Sequence, residues 1–174
     1  METFHHATFA TPFPVGSLTI AANQRGLAVL SFRGIDEYRK NPHFKDVEWV
    51  ESKKEVQPYF DKVERYLSGK SRNLEMKLDL RGTEFQKKCW QALLRIPFGE
   101  TRSYAEIAEE VDCPRGFRAV GLANNRNPVA IVVPCHRVIE TNGKLGGYGG
   151  GLPAKEWLLQ LEGAPLRALA ARLF

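Results

Sequence analysis

The hydrophobic pattern changes along the chain from the period of strands to the period of helices. Residues 17–21 alternate polar and apolar side chains, 27–32 is a second β-like run, and 23–26 between them is a turn signal. This arrangement predicts an antiparallel hairpin or meander. Residues 9–13 predict an edge strand that ends at prolines, and 33–51 read as polar and irregular.

A helix is predicted to run to about Leu67 and to stop at Ser68-Gly69. Ser52 and Glu55 could form a capping box at its start, although Pro58 favours a later start or a kink. Residues 70–82 are a polar, extended connector that marks a domain boundary. The sequence therefore predicts a small N-terminal α/β scaffold domain over residues 1–80.

Strong helix signals follow the connector. Residues 83–86 form a capping box that opens a helix with an apolar face at Phe85, Cys89, Leu93 and Ile96, where Cys89 is a core thiol. Residues 103–106 form another box, which opens a short helix to about Val111, and a further helix covers 117–124. Two short helices joined by a tight turn have helix-turn-helix spacing, although helical hairpins in ordinary cores look the same. Gly121 within the second helix suggests close approach of another backbone.

Residues 129–133 predict a buried, strand-like segment, and Pro153 opens a terminal helix that leads to Glu162-Gly163. The fold class is α+β: an antiparallel sheet with a helix, followed by a mainly helical domain over residues 83–174. Glu162 lies near a helix C-terminus, where the helix dipole disfavours an anion, so it needs a cationic or hydrogen-bond-donating partner.

Composition then limits the class of protein. The chain has 174 residues, of which 43% are hydrophobic and 26% charged, which is ordinary for a chain that buries a core. No apolar run is long enough to span a membrane, and the first residues do not read as a secretion signal. Three cysteines without a C-x-x-C pair fit neither a disulfide framework nor a four-thiolate zinc site, and they suggest a reducing cytosol.

The net charge of +5 is modest but unevenly distributed. Between Cys113 and Ile139 there is no Asp or Glu and there are four arginines, at 115, 118, 126 and 137. Such a zone is a candidate phosphate-binding surface, the alternative being that these arginines are solvated or pair with distant acids. Asn124, Asn125 and Arg126 at the end of the second short helix suit DNA phosphates and base edges.

The buried segment leads to Cys135, His136 and Arg137. Neighbouring cationic and hydrogen-bonding groups lower the pKa of a thiol and favour the reactive thiolate. Adjacent residues of an extended chain point in opposite directions, however, so His136 reaches Cys135 only if the backbone turns or a water bridges them. Both a reactive cysteine and a buried structural one are compatible with this pattern.

A glycine-rich loop, 146–151, surrounds Tyr148. It would let backbone amides approach a ligand while Tyr148 walls a flat pocket, the alternative being a flexible linker. It matches neither a P-loop nor a dinucleotide-binding fingerprint, so we expect no nucleotide cofactor.

Together these parts resemble the O6-alkylguanine-DNA alkyltransferases, which repair alkylated DNA. The match lies in order over residues 83–163, in Ser103-Tyr104, Arg118-Ala-Val-Gly121, Asn127-Pro128, Pro134-Cys135-His136-Arg137-Val138, Gly147-Tyr148 and 155–159 through Glu162-Gly163. The resemblance implies stoichiometric, irreversible transfer of an alkyl group from guanine O6 to Cys135, with O4-alkylthymine as a further candidate substrate.

In this resemblance Cys135 is the nucleophile, and His136, oriented by Glu162, relays its proton through a water. Asn127 holds the active-site turn, and Tyr104 protonates the departing base. Because the damaged base lies inside the duplex, it must be flipped out. Arg118 fills the vacated stack, Tyr104 lies by the rotated phosphate, and the pocket and the remaining DNA contacts comprise Val138, Tyr148, Gly149, Gly150, Ser103, Asn124, Asn125 and Arg126.

The implied partner is double-stranded DNA, bound through its minor groove by a monomer that could cluster on it, with no cofactor, metal or membrane. The implied location is the cytoplasm, on the nucleoid in a prokaryote. Three departures from some relatives stand out: 124–126 replaces Met-Arg-Gly, Gly149 replaces a serine and would admit larger alkyl groups, and the N-terminal half has no cysteine for the structural zinc that some relatives hold.

Three rival functions use only part of these features. A related binding class keeps the fold but lacks the nucleophile, whereas Cys135 is present here. A transcription regulator would use residues 103–126 and leave the Cys-His segment without a role. A Cys-His hydrolase would use Cys135 and His136 and leave the arginines unexplained.

Overall fold

The computed structural model describes residues 1–166, which divide into two compact units. One comprises Met1–Gly82 with Pro128–Val132, and the other comprises Thr83–Asn127 with the chain from Val133 onward. Residues 167–174 of the predicted second domain lie outside the described residues. A sheet unit and a helical unit make the fold α+β, which confirms the predicted class.

The first unit is built on a four-stranded sheet. Its strands are β1 (Glu2–Phe9), β2 (Leu18–Asn23), β3 (Gly26–Ser31) and β4 (Val47–Glu51), in the spatial order β3-β2-β1-β4. The β1–β2 and β2–β3 pairs are antiparallel, and β1–β4 is parallel. The β2–β3 hairpin confirms the prediction from the alternating pattern, and Asn23 Oδ1 closes its turn by accepting the backbone N–H groups of Arg25 and Gly26.

Both faces of this sheet are covered. Helix α2 (Lys53–Leu67) packs against one face, where the rings of Phe9 and Phe60 stack with centroids 4.2 Å apart. On the other face Phe4 packs against Phe44 and Trp49. Because successive residues of a strand point to opposite faces, β2 is buried along almost its whole length.

The predicted edge strand over residues 9–13 is wrong. The strand is β1, which ends at Phe9 and lies inside the sheet between β2 and β4. Residues 11–16 form a turn, in which Thr11 Oγ1 donates to the Gly16 carbonyl at 2.7 Å and the Gly16 N–H donates to the Phe13 carbonyl at 2.9 Å. Prolines 12 and 14 fit this turn because they cannot donate to a ladder.

The expectation of irregular structure over residues 33–51 is also wrong. This segment holds helix α1 (Ile35–Arg39), a 3₁₀ turn (Pro42–Phe44) and β4. Short elements with few apolar residues give a weak periodic signal, and tertiary packing decides them. In α2, Ser52 occupies the N-cap without a side-chain capping bond, and Pro58 lies inside a helix that is not delayed.

Strand β3 carries two further extended segments on its edge. The Leu27 N–H donates to the Lys77 carbonyl, and the Asp79 N–H donates to the Leu27 carbonyl. Leu30 makes a similar pair of bonds with Pro128 and Ala130. Residues 129–133 are buried as predicted but form only an isolated bridge, at Val129, and Ile131 has a positive φ of 71° that breaks the expected strand.

The second unit is mainly helical. Its elements are α3 (Glu84–Leu94), β5 (Arg102–Ser103), α4 (Tyr104–Glu110), α5 (Phe117–Asn125), a 3₁₀ turn (Cys135–Arg137), β6 (Val138–Ile139) and α6 (Leu152–Leu161). Both predicted capping boxes are present, at Thr83 and Ser103, which confirms the two helix starts. Helix α5 packs against α3 and α4, and buried Trp90 Nε1 donates to the Ala123 carbonyl at 2.9 Å.

The predicted backbone contact at Gly121 is wrong. The nearest atom to a β-carbon placed there is Cε1 of the Tyr104 side chain, at 3.9 Å, which is ordinary packing distance. Within residues 1–166, no helix combines the length and the apolar character that crossing a membrane requires.

Candidate active site

The backbone turns at Cys135. The 3₁₀ turn closes with the Arg137 N–H donating to the Pro134 carbonyl at 2.9 Å, and the Cys135 N–H donates to the Val133 carbonyl at 2.8 Å. Cys135 and His136 need such a turn in order to cooperate, because an extended chain would point them in opposite directions. Both side chains are buried.

Asn127, just after α5, ties this turn together. Its side-chain Nδ2 donates to the Val133 carbonyl at 2.8 Å and to Cys135 Sγ at 3.3 Å. One amide group therefore fixes the backbone entering the turn and supplies a hydrogen bond to the sulfur. A hydrogen bond to sulfur favours the thiolate over the thiol.

Glu162 has the partners that its position at the end of α6 required. Its carboxylate accepts hydrogen bonds from His136 Nε2 at 2.8 Å and from Arg137 Nε and Nη2, both at 2.8 Å. Arg137 also donates to the Ile96 carbonyl at 2.7 Å. Arg137 is therefore committed to the interior of this unit, which leaves three arginines of the original zone for an external ligand.

This network defines the protonation of His136. Burial raises the pKa of Glu162, but the bonds and charges from His136 and Arg137 outweigh it and hold that pKa well below its usual range. The ionised carboxylate can only accept, so His136 Nε2 carries the hydrogen. Burial also lowers the pKa of His136, which keeps its ring neutral. Nδ1 then bears the free lone pair, and it is buried with no hydrogen-bond partner among residues 1–166.

The Cys135 thiol sits in opposing influences. Burial raises its pKa, whereas Asn127, the cation of Lys155 and the backbone N–H groups of Cys135 and His136 lower it. The resting sulfur is therefore a thiol held next to groups that stabilise its thiolate. Such a site ionises when a base takes the proton.

Sequence reasoning missed Lys155. This lysine is fully buried in α6, and its Nζ donates to the carbonyls of Val138 at 2.6 Å, Gly147 at 3.1 Å and Leu145. Burial lowers the pKa of Lys155 to about 8, against the opposing influence of Cys135 and Glu140. The ammonium joins the segment after Cys135 to the glycine-rich loop, so it shapes the pocket from beneath.

Tyr104, the first residue of α4, faces the same loop. A β-carbon on Gly146 would lie 3.0 Å from Tyr104 Oη and 3.5 Å from Glu140 Cγ, which shows how closely the hydroxyl approaches the loop backbone. Burial, with the nearby Cys135 and Glu140, raises the pKa of Tyr104 to about 12. Its phenol stays protonated in neutral solution and keeps a proton to donate.

A cavity of about 890 Å³ opens above Cys135. Of the predicted site residues, Tyr104, Asn124, Asn125, Cys135, Tyr148 and Gly149 line it, whereas Val138 and Gly150 are not part of this lining within the described chain. The lining also includes residues that the sequence did not single out, namely Ala105, Phe117, Leu122, Glu140, Thr141, Gly146 and Gly147. The lining is mostly apolar, which suits a flat aromatic ligand.

The predicted DNA contacts lie around this opening with different degrees of freedom. Arg118 and Arg126 are exposed and make no ion pair within residues 1–166. The Ser103 hydroxyl is occupied as the N-cap of α4, where it accepts from the Glu106 N–H at 3.1 Å. Both polar atoms of the Asn124 side chain are buried and without a partner in the described residues.

No three histidine, cysteine or acidic side chains in residues 1–166 are grouped as a metal site would require. What the cavity does hold is one thiol with hydrogen-bonding support, beside a buried histidine and carboxylate. That set can deprotonate a sulfur and direct it at an electrophilic carbon.

Two family models match this chain. Residues 84–164 match the DNA binding domain of 6-O-methylguanine DNA methyltransferase, and residues 5–80 match the ribonuclease-like domain of the same protein. The two matches together span most of the chain.

Individual relatives agree with these models. The chain is 48% identical over 154 residues to a methylated-DNA–protein-cysteine methyltransferase of Methanosarcina barkeri, covering 88% of this chain and 95% of the relative. It is 43% identical over 158 residues to that of Mycobacterium tuberculosis, covering 91% and 92%.

Solved structures agree as well. The crystal structure of Mycobacterium tuberculosis OGT in complex with DNA superposes with a TM-score of 0.75 at 42% identity, covering 94% of this chain and 95% of that one. The O6-methylguanine-DNA methyltransferase of Pyrococcus kodakaraensis superposes with a TM-score of 0.61 at 25% identity, covering 92% and 99%.

Proposed function

This chain belongs to the 6-O-methylguanine DNA methyltransferase family, and from that premise we propose that it repairs DNA by moving an alkyl group from guanine O6 to Cys135. The observation that carries the proposal is the joining of a thiol, a neutral histidine and an ionised carboxylate beneath one open cavity. O4-alkylthymine is a second candidate substrate.

The reaction is a single displacement. His136 Nδ1 takes the thiol proton through a bridging water, and Glu162 stabilises the imidazolium that results. The thiolate attacks the alkyl carbon, so a sulfur–carbon bond forms while the bond from that carbon to O6 breaks, and its electron pair stays on the base. Tyr104 supplies a proton to the departing guanine, and exchange with solvent restores Tyr104 and His136. Overall the thiol proton ends on the guanine.

The thioether has no route back to the thiol, because displacement from sulfur would need a stronger nucleophile that the site does not hold. Each chain therefore reacts once. We propose that it does so as a monomer in a reducing cytosol, where an unoxidised thiol persists.

Access to O6 requires the damaged nucleotide to leave the duplex. We propose that α5 enters the minor groove and that Arg118, exposed and without an ion pair in the described chain, fills the space that the nucleotide leaves. Arg118→Ala should then slow transfer from a duplex far more than transfer from free O6-benzylguanine, measured as single-turnover rates. Equal losses on both substrates would refute this role.

The assignment of Cys135 is tested by separating binding from transfer. Cys135→Ser and Cys135→Ala should bind an O6-methylguanine duplex about as well as the wild type, measured by fluorescence anisotropy, while transferring no methyl group. Cys89→Ser and Cys113→Ser are the matched controls and should still transfer. Retained transfer by either Cys135 variant would move the nucleophile elsewhere.

A further inference from the structure

Two large apolar side chains are exposed on α5 at the mouth of the cavity. Phe117 is 50% exposed and Leu122 is 66% exposed, and both belong to the cavity lining. Single exposed apolar residues are common, but a pair on one helix at a cavity rim forms a patch, and such patches mark binding surfaces. Gly121 lies beside Leu122 and adds no side chain, so Leu122 projects from the helix without a neighbour at that position.

The surroundings of this patch are cationic. Arg115, Arg118 and Arg126 are exposed and form no ion pair in the part of the chain that the structure describes. No acidic residue occurs between Cys113 and Ile139. A partner that fits must therefore be an anion with apolar surface inside its charged outline, and the minor groove, with phosphates at its edges and deoxyribose within, has that form.

Phe117 also contacts the arginine that the proposed function places in the duplex. The Arg118 guanidinium carbon lies 6.0 Å from the centre of the Phe117 ring, within the range of a cation–π contact. Leu122 follows Arg118 by one helical turn, so the two side chains project from the same face of α5. Apolar and cationic groups thus alternate along the face that would meet DNA.

We propose that Phe117 and Leu122 form an apolar rim that enters the minor groove beside the flipped nucleotide, which deepens and rests on the proposed function. Leu122 packs against the sugars and the base faces that unstacking exposes, as apolar wedges do in other groove-binding proteins. Phe117 holds the Arg118 side chain in line with the vacated position. Both residues are positioning residues, since neither touches the reacting atoms.

Salt dependence separates this role from phosphate binding. Leu122→Gln should weaken binding of an O6-methylguanine duplex about five- to thirty-fold, the effect of losing roughly one leucine contact. The slope of log affinity against log salt should stay as in the wild type, because no phosphate contact is lost. Arg126→Gln should instead reduce that slope. Leu152→Gln, an exposed leucine of α6 outside the cavity lining, is the matched control and should bind like the wild type.

Phe117 is tested through its coupling to Arg118. Phe117→Leu keeps an apolar side chain but removes the ring, and it should slow transfer from the duplex several-fold. In an Arg118→Ala background the same change should have little further effect, because the guanidinium it positions is gone. Additive losses in the double variant would refute the bracing role.

The remaining outcomes are distinct. If Leu122→Gln lowers transfer from free O6-benzylguanine as much as transfer from duplex, or alters the salt slope, the rim does not act on DNA. If it instead abolishes a wild-type dimer in gel filtration, the rim binds a second copy of this chain. A wild-type protein that never dealkylates O6-benzylguanine would overturn the proposed function itself, whereas normal wild-type transfer with an unaffected Leu122→Gln overturns only the rim.

Discussion

The sulfur of Cys135 depends on a few side chains that offset its burial. Burial alone raises the pKa of this thiol, and the Asn127 amide is the side-chain hydrogen bond that lowers it. The same amide holds the Val133 carbonyl, so one residue contributes both to the folded turn and to the reactivity of the thiol.

Asn127→Ala should therefore lower the single-turnover transfer rate roughly 10- to 100-fold and the free energy of unfolding by about 1–2 kcal/mol, the usual cost of losing such hydrogen bonds. The thiol pKa should rise, so the rate of the variant should recover at higher pH, where a merely misfolded site would not. Gln91→Ala, an exposed amide on α3, should behave as the wild type. A rate defect that is independent of pH would contradict the effect on the thiol.

Two adjacent glycines of the pocket loop differ in what they tolerate. Gly146 has a φ of +71°, and its β-carbon would meet Tyr104 Oη at 3.0 Å, whereas a β-carbon on Gly147 would have no atom within 4 Å. Gly146→Ala should cost about 1–3 kcal/mol of unfolding free energy from its backbone alone, and it should displace the phenol and slow transfer. Gly147→Ala should do much less of both. Urea unfolding and single-turnover kinetics compare the pair, and equal effects would contradict the close approach of Tyr104 to Gly146.

Residue-level prediction succeeded where chemistry alone identifies a side chain. A cysteine beside a histidine, and a glutamate at a helix C-terminus that lacks a stated partner, both indicate a functional role from the sequence alone. Lys155 gave no such signal, because a lysine in a helix is normally exposed. Its spacing from Leu158, Leu159 and Glu162 places it on the buried face of α6, and that periodicity could have revealed it.

At the scale of elements, α6 and the turn at Cys135 are joined by the Glu162 carboxylate. The pKa of Glu162 is lower in the folded protein than in the unfolded chain, to about 2 against a usual 4.5. A group of this kind contributes stability that is present above the unfolded pKa and is lost as the pH falls through the folded pKa. The neutral His136 acts in the same direction below about pH 6.5, where the unfolded chain gains a proton first.

The free energy of unfolding should therefore fall as the pH is lowered from about 5 toward 2, and the part due to Glu162 should be absent in Glu162→Gln. Urea titrations at a series of pH values measure this difference, which should be largest near neutrality and shrink with acid. A Glu156→Gln variant, altered at another acid of the same helix, should keep the wild-type dependence. A constant difference between wild type and Glu162→Gln at all pH values would contradict the ion pair.

Elements with strong punctuation were predicted correctly, and those without it were not. The capping boxes at Thr83 and Ser103 mark helix starts through local hydrogen bonds that the sequence displays directly. Strand β4 has no such mark, and it exists because it pairs in parallel with β1 across a long separation in sequence. Similarly, the turn at Cys135 follows from its packing within the second unit, so the sequence could state only that one was needed.

At the scale of the whole molecule, the chain is a reagent rather than a catalyst with turnover. A buried thiol with a proton acceptor makes one sulfur–carbon bond, and nothing in the proposed chemistry removes it. The cost is one protein chain for each lesion, and the chemistry needs no cofactor to carry the alkyl group.

The most direct test is to mix the protein with an excess of O6-methylguanine duplex and follow intact mass, peptide mass and the amount of guanine restored. The mass of each chain should rise by one methyl group, located on the peptide that contains Cys135, and the restored guanine should equal the number of chains. Repeated turnover, a methyl group on another residue, or binding without loss of methyl from the DNA would contradict transfer to Cys135.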